Sequence, residues 1–393
     1  MRSRKSCRLN KLISVATSTI QSVNATRLHQ DRQVSSRLSA NMASTVAEDS
    51  DTDMEVEELI DLGNSLINAI LERSSLSKIK RIIDAGAPLW FQDDEGMSAL
   101  HAAAYVENED LVRFLIGEGA LWNAVDNLHN TAGDIALSLN NGPCYTIIRD
   151  AGIRSELLLS LLSSRSPSTD SSLSHVLKAT DATPAGSTDA FLSSRLQFTK
   201  DTHGQDICLL KVNEQEEIGV MMGWERGIMQ ETVHKLCSDH ENLPRGLKVL
   251  NVGFGLGIID CLFQALPVPP SIHVIIEPHP DVLQHMRELG WYNKPGVTIL
   301  EDYKELHRFF GHVPDLLAGP ESRFGFFNGL GATNALFYDV YTHVSDLHLA
   351  DIGIDVACSD VDVFQGHESR WGKSREYFAM RSYRLPVGKM RTM

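Results

Sequence analysis

Apolar residues in the C-terminal half of the chain come in short, dense runs. LKVLNVG (247–253), HVIIE (273–277), VTIL (297–300), FGFFNG (324–329), IDVAC (354–358) and the region around YFAMRSYRLPV (377–387) have the length and the β-branched or aromatic content of buried strands. Between several of them apolar positions recur three and four apart, as in GIIDCLFQAL and DVLQHMRELG, the spacing of a helix with one buried face. Strand and helix in alternation predict an α/β fold with a mostly parallel, doubly wound sheet.

The N-terminal half follows a longer period. Gly86, Gly119 and Gly152 are 33 residues apart in the similar segments IIDAGA, LIGEGA and IIRDAGI, and the same offset carries Ser98 to Thr131 and Ala103 to Ala136. GMSALHAAA is close to the T-P-L-H-x-A signature of ankyrin repeats, and NTAGDIALS is a degenerate second copy. Each unit is expected to be a turn and two short antiparallel helices, packed closely through small alanines, with the glycine ending the second helix in a left-handed cap. Residues 51–160 are therefore an expected ankyrin array, with a helix over 56–72 as its N-terminal cap. Such arrays have no chemistry of their own; this one either recognises a protein or supports the second domain by packing.

Three boundaries follow from composition. Residues 161–190 are rich in Ser and Thr and poor in large apolar groups, which is the make-up of a linker, and the α/β domain occupies 191–393. Residues 1–50 form an expected disordered leader. Within its first forty positions Arg2, Arg4, Lys5, Arg8, Lys11, Arg27, Arg32 and Arg37 face a single acid, Asp31. That pattern fits a mitochondrial presequence, or an over-extended reading frame whose natural start is Met42.

Charge and cysteine usage narrow the function. A net charge of −15 over 393 residues argues against direct binding of nucleic acid or of an anionic membrane, and suits a basic protein substrate. Cys7, Cys144, Cys208, Cys237, Cys261 and Cys358 are scattered, with neither disulfide-framework nor metal-site spacing, which points to reduced thiols in a reducing compartment.

The candidate chemistry begins where LKVLNVG runs into Gly253-Phe254-Gly255-Leu256-Gly257 and then a helix opening at Ile258. Glycines at such a turn let the backbone approach a nucleotide-like ligand and present N–H groups at a helix N-terminus. The next strand ends in Glu277, placed to accept hydrogen bonds from both ribose hydroxyls of a bound adenosine. A dinucleotide dehydrogenase usually carries glycine or alanine where Ile258 stands, so G-x-G-x-G favours S-adenosylmethionine. A dehydrogenase, or a turn that only supports the fold, is the alternative. Upstream, GVMMGWERGIM (219–229) holds Glu225, on its own terms either a solvated glutamate or a catalytic one.

VMMGWERGIM, LKVLNVGFGLGIID, HVIIEPHP and FGFFNGLGATNALFYDVYTHVSDLHLADIGIDVACSDVDV together resemble the fungal protein arginine N5-methyltransferases, relatives of guanidinoacetate methyltransferase with an N-terminal ankyrin region. The resemblance covers about residues 50–393. It implies a class I S-adenosylmethionine-dependent methyltransferase fold and methyl transfer to the δ-nitrogen of arginine in a protein substrate, a ribosomal protein among the candidates. It further implies a monomer of the cytoplasm and nucleus. Carried over by motif, Phe198, Met222, Gly253, Phe254, Gly255, Leu256, Gly257, Ile258, Glu277, Pro278 and His279 line the cofactor, and Glu225 holds the substrate guanidinium.

The sequence departs from that pattern at one place. A class I sheet needs a fourth strand beside the first, yet only residues 301–323 separate VTIL from FGFFNG, and they hold the helical pattern DYKELHRFFGHVPDLL and a short loop. AGPESR is too short to cross over from any strand in VPDLLA. The segment expected between Glu301 and Asp302, with the central strand and its substrate-binding acid, is missing. A skipped exon or mis-spliced transcript, or a true loss, would account for it. The alternative function is then an inactive binding protein with the same architecture.

Overall fold

The computed structural model describes residues 50–165, 188–201, 203–213, 217–301, 306–363 and 374–391. The expected leader, apart from Ser50, and most of the expected linker lie outside the described residues. Two compact units result. One takes in described residues between 50 and 165 together with Asn334–Val344; the other takes in those from 188 to 333 and from 345 onward.

The first unit is helical: α1 (Ser50–Leu71), α2 (Leu76–Asp84), α3 (Ala99–Tyr105), α4 (Glu109–Gly117), α5 (Ala132–Ser138) and α6 (Gly142–Arg165). The 33-residue offset reappears as geometry. Ser98 and Thr131 each cap a helix and close a capping box with the residue three positions on, His101 and Asp134. Each also closes a β-bridge, Gln92 to Ser98 and Val125 to Thr131, forming the turn of its repeat. Caps of this kind each stabilise a helix by about 1 kcal/mol. Ala102, Ala103 and Ala104 are fully buried, which lets α3 pack directly on α5. Gly86 and Gly119 end their helices at φ +105° and +98°, as expected. Gly152 does not: α6 continues through it to Arg165. There the glycine serves close packing instead, since a Cβ would lie 2.8 Å from the Trp122 ring.

The second unit holds α7 (Thr188–Leu192), β1 (Leu196–Lys200), β2 (Asp206–Lys211), β3 (Glu217–Met222), α8 (Arg226–Cys237), β4 (Lys248–Val252), α9 (Ile258–Gln264), β5 (Ile272–Ile276), α10 (Pro280–Glu288), β6 (Val297–Leu300), α11 (Leu306–Leu316) and β7 (Arg323–Phe324). After α12 (Ala335–Asp351) come β8 (Ile354–Asp362), β9 (Ser374–Arg375) and β10 (Ser382–Met390). Among the described residues the strands form three sheets, in the orders β1-β2-β3-β9, β4-β5-β6 and β7-β10-β8. Only β4-β5-β6 is parallel throughout. The expected mostly parallel sheet is corrected on that point, because β10 runs antiparallel between β7 and β8.

Two strands start or stop elsewhere than the apolar runs suggest. FGFFNG contributes only its first phenylalanine to β7, and Phe326 onward is loop, its carbonyl accepting from the Tyr383 hydroxyl at 3.3 Å. The last strand begins at Ser382 rather than near Tyr377. In these loops aromatic side chains, not a ladder, bury the apolar run: Phe327 packs on Tyr383 at 5.3 Å.

Within the expected helical segment DYKELHRFFGHVPDLL, Leu306–Leu316 form α11, with Pro314 inside it, and 302–305 lie outside the described residues. Phe309 and Val313 of α11, with Leu317 just beyond it, bury against Leu250 and Val252 of β4 and against Phe324 and Ile354 of the other three-stranded sheet. Among the described residues β4 pairs only with β5, and β7 only with β10.

Candidate functional site

The site is built on the loop between β4 and α9. Gly253, Gly255 and Gly257 have φ values of +86°, +56° and +68°, a region where a side chain is strained. Space is restricted too. A Cβ on Gly257 would run into the Phe254 ring, and one on Gly255 would sit 2.8 Å from Met221 Sδ. The loop is tied to the end of β5. Gly253 N–H donates to the Ile276 carbonyl at 2.8 Å, and Phe254 N–H donates to Glu277 Oε2 at 2.8 Å. Leu256 N–H donates to Met221 Sδ at 3.1 Å, so the helix N-terminus faces a neutral thioether on β3.

Glu277 is buried, and its Oε1 accepts from His279 N–H at 2.8 Å. Burial pushes its pKa up, and the backbone N–H groups of His279, Phe254 and Gly255 pull in the opposite direction. The carboxylate is thus fixed at the strand end with acceptor capacity left on its oxygens. His279 follows through Pro278 and caps α10: Nδ1 accepts from Asp281 N–H at 3.1 Å, and Nε2 donates to the Phe191 carbonyl at 3.1 Å. Burial lowers the pKa of this imidazole, with Asp281 and the Phe191 carbonyl acting against it.

A lowered histidine pKa makes stability depend on pH. In the unfolded chain His279 binds a proton near its ordinary value of 6.5, and in the folded chain only at lower pH. Its contribution is present above pH 6.5 and is lost as pH falls through the folded value. His279→Asn keeps a capping side chain but does not titrate. Its Tm should therefore fall less than that of wild type between pH 7.5 and 5.5, and parallel Tm curves would remove His279 from the account.

Behind the loop lies a buried polar chain that the strand pattern hinted at only through Asn251, a polar residue inside LKVLNVG. Asn251 Nδ2 donates to Asp260 Oδ2 at 2.9 Å, His273 Nε2 donates to Asp260 Oδ1 at 2.9 Å, and Gln264 Nε2 donates to His273 Nδ1 at 2.9 Å. Burial raises the Asp260 pKa, the bonds from His273 and Asn251 opposing it. This chain ties α9 to β4 and β5, and so holds the glycine turn in place.

Glu225 ends the short turn Gly223–Glu225 after β3. It is fully buried, and its Oε1 accepts from Met222 N–H at 3.0 Å and from the Tyr377 hydroxyl. Trp224 packs beside Tyr377 and Phe378, each at 5.9 Å between ring centres. Tyr377 was not legible as a site residue, since 152 positions separate it from Glu225. A cavity of about 780 Å³ opens alongside, with Gln205, Gly223, Trp224, Arg226, Leu256 and Ile258 among its lining residues.

The structure thus brings Gly253 to Ile258, Glu277, Pro278 and His279 together, and sets Leu256 and Ile258 on the cavity wall. Glu225 lies between the wall residues Trp224 and Arg226 with its carboxylate turned inward. Phe198 and Met222, the other two expected cofactor residues, lie on β1 and β3. The Phe198 ring stacks on His285 at 4.1 Å, and the Met222 side chain is buried, while Met221 is the one that faces the glycine turn.

Comparison with known proteins agrees with both halves of this description. The ankyrin repeat family matches residues 95–127. The chain is 35% identical to protein arginine N-methyltransferase 2 of Cryptococcus neoformans over 84% of its own length and 96% of that protein's. It is 33% identical to the protein of the same name from Aspergillus oryzae, over 71% and 77% of the two lengths. With that of Emericella nidulans it is 30% identical, over 84% and 97%. That last alignment spans 432 positions, more than the 393 residues of this chain, so the relative carries residues that face a gap here.

Proposed function

The chain belongs to the family of fungal proteins named protein arginine N-methyltransferase 2, and on that footing we propose that it binds S-adenosylmethionine and serves methyl transfer to the δ-nitrogen of arginine in a protein substrate. The observation that carries the cofactor half is the glycine cradle closed by Glu277. Residues 253, 255 and 257 lack side chains where a Cβ would be strained, and the carboxylate retains acceptor capacity for hydroxyl groups. Gly253 to Ile258, Glu277, Pro278 and His279 would hold the ligand. When bound, it supplies an electrophilic methyl group on a positively charged sulfur.

The remaining work falls to residues of the chain. A guanidinium is protonated at any cellular pH, so its nitrogens are poor nucleophiles. A carboxylate gripping two of its N–H groups draws the positive charge away from the remaining nitrogen and orients it for attack. Glu225 is the residue we assign to that grip, with Tyr377 steadying Oε1. The substrate class is a basic, arginine-containing protein, consistent with the charge of −15 on the chain, and the expected setting is a monomer in the cytoplasm and nucleus.

One observation favours a second reading. Among the described residues the sheets β4-β5-β6 and β7-β10-β8 have no strand pairing them together, which supports the absence of the central strand and of its acid. In that reading these 393 residues retain the architecture and the partner but not the chemistry.

Gly255→Val tests the cofactor half. The new side chain meets Met221 Sδ and sits at φ +56°, a conformation that costs a β-branched residue roughly 1–2 kcal/mol or more. Calorimetry with S-adenosylmethionine is expected to show binding to the wild type and none to the variant, with circular dichroism unchanged. Equal affinities would remove the loop from the cofactor site.

A further inference from the structure

In the ankyrin unit each helix pair packs on the next: α3 on α5, and α4 on α6. Leu100 and Val112, which are fully buried in that stacking, correspond through the 33-residue offset to Gly133 and Tyr145 of the last pair. No fourth repeat follows in the sequence pattern, so the face carrying Gly133 and Tyr145 needs a different cover. Terminal repeats that expose an apolar stacking face are poorly soluble and unstable, which is why arrays carry caps.

The structure supplies that cover from a distant part of the chain. Leu336 packs on Gly133, where a Cβ would be 2.8 Å from its Cδ1. Val340 packs on Gly152, where a Cβ would be 2.9 Å from its Cγ2. The Phe337 ring meets Trp122 edge-on at 5.6 Å, and the Tyr145 hydroxyl donates to Asp339 Oδ2 at 2.9 Å. Asp134 repeats the role of its counterpart His101. The His101 Nε2 reaches forward to the Asn130 carbonyl of the following repeat at 3.1 Å, and Asp134 Oδ2 accepts from Asn334 Nδ2 at 2.6 Å.

We infer that Asn334–Val344 is the terminal cap of the ankyrin array, docked where a further repeat would stack. The last face of the array is thus an interaction surface whose partner is this chain itself. The inference stands on geometry within the ankyrin unit and is independent of the cofactor reading. It also gives a physical role to the end of the FFNGLGATN motif. Asn334 Oδ1 caps α12 by accepting Phe337 N–H at 3.1 Å, while its Nδ2 makes the bond to Asp134. An asparagine side chain offers an acceptor to the helix and a donor to a carboxylate from two different atoms.

Asn334→Asp in the full chain separates the two roles. Aspartate caps a helix as well as asparagine does, but it sets a second carboxylate against Asp134. Hydrogen exchange followed by mass spectrometry should show amides 336–344 exchanging about tenfold or more faster at pH 7, with α3 and β5 amides unchanged. Should the charged variant fold poorly, Asn334→Gly, a residue tolerated at an N-cap, loses the donor without adding charge and should show a smaller gain confined to the same amides. Wild-type exchange in the single variants would overturn the inference.

Discussion

If the second reading holds, inserting a segment of about thirty residues after Glu301, taken from the aligned region of a relative, should turn a chain expected to show no arginine methylation into an active one. The length follows from what is needed between β6 and β7: a crossover helix, a strand of five or six residues and two short connections. The place follows from α11. That helix already lies against β4 on one side and β7 on the other, through Phe309, Val313, Leu250, Val252 and Phe324. It is therefore suited to lead out of a central strand into β7, and on the second reading the missing segment would precede it. Burial under α11 also explains why Leu250 and Val252 are covered although β4 has no second partner among the described strands. Covering the side chains does not pair the backbone. Unpaired central edges invite association with other chains, so the 393 residues alone should express poorly and the lengthened chain should express well. Methylated arginine would be read by mass spectrometry on a basic protein substrate, whose fragment ions distinguish the δ- from the terminal nitrogens. Activity in the unmodified chain would show that residues 301–323 supply what the sheets lack.

How far the sequence carried depended on whether a feature was periodic. The glycine loop, Glu277 and the strands β4, β5 and β6 were all legible, because each strand is written as a short apolar run ending at a turn, with β4 the most fully buried of the three. The ankyrin caps were legible as pairs of residues 33 apart. FGFFNG misled for the opposite reason: its aromatics bury as a cluster on Tyr383 and on Phe310, and composition does not distinguish that from a strand. Gly152 misled because one residue type serves two needs, a left-handed cap at Gly119 and close packing inside α6. Tyr377 and Met221 carried no signal. Their importance lies in which atoms they meet, Glu225 Oε1 and the Leu256 N–H, and neither contact has a sequence spacing of its own.

In the chain with its central segment restored, Glu225→Gln should lower turnover at least about 100-fold while leaving S-adenosylmethionine affinity within about twofold. The substitution keeps volume and shape, and the amide oxygen can still accept from Met222 N–H and from the Tyr377 hydroxyl, so the buried site keeps these two bonds. Two things change. The negative charge that favours a guanidinium is gone, and an NH2 group now presents donors where that cation also presents donors. The glycine cradle and Glu277 lie on β4 and β5 and do not depend on Glu225 for any hydrogen bond given above, so the cofactor reading should be untouched. Tyr377→Phe provides the graded comparison. It removes one donor to Oε1 but keeps the carboxylate, so its loss of turnover should be smaller than that of Glu225→Gln. Calorimetry, with turnover measured at saturating cofactor, separates these outcomes. If Glu225→Gln turns over like the parent, the glutamate is a structural acceptor for Tyr377, and the guanidinium must be held by another residue.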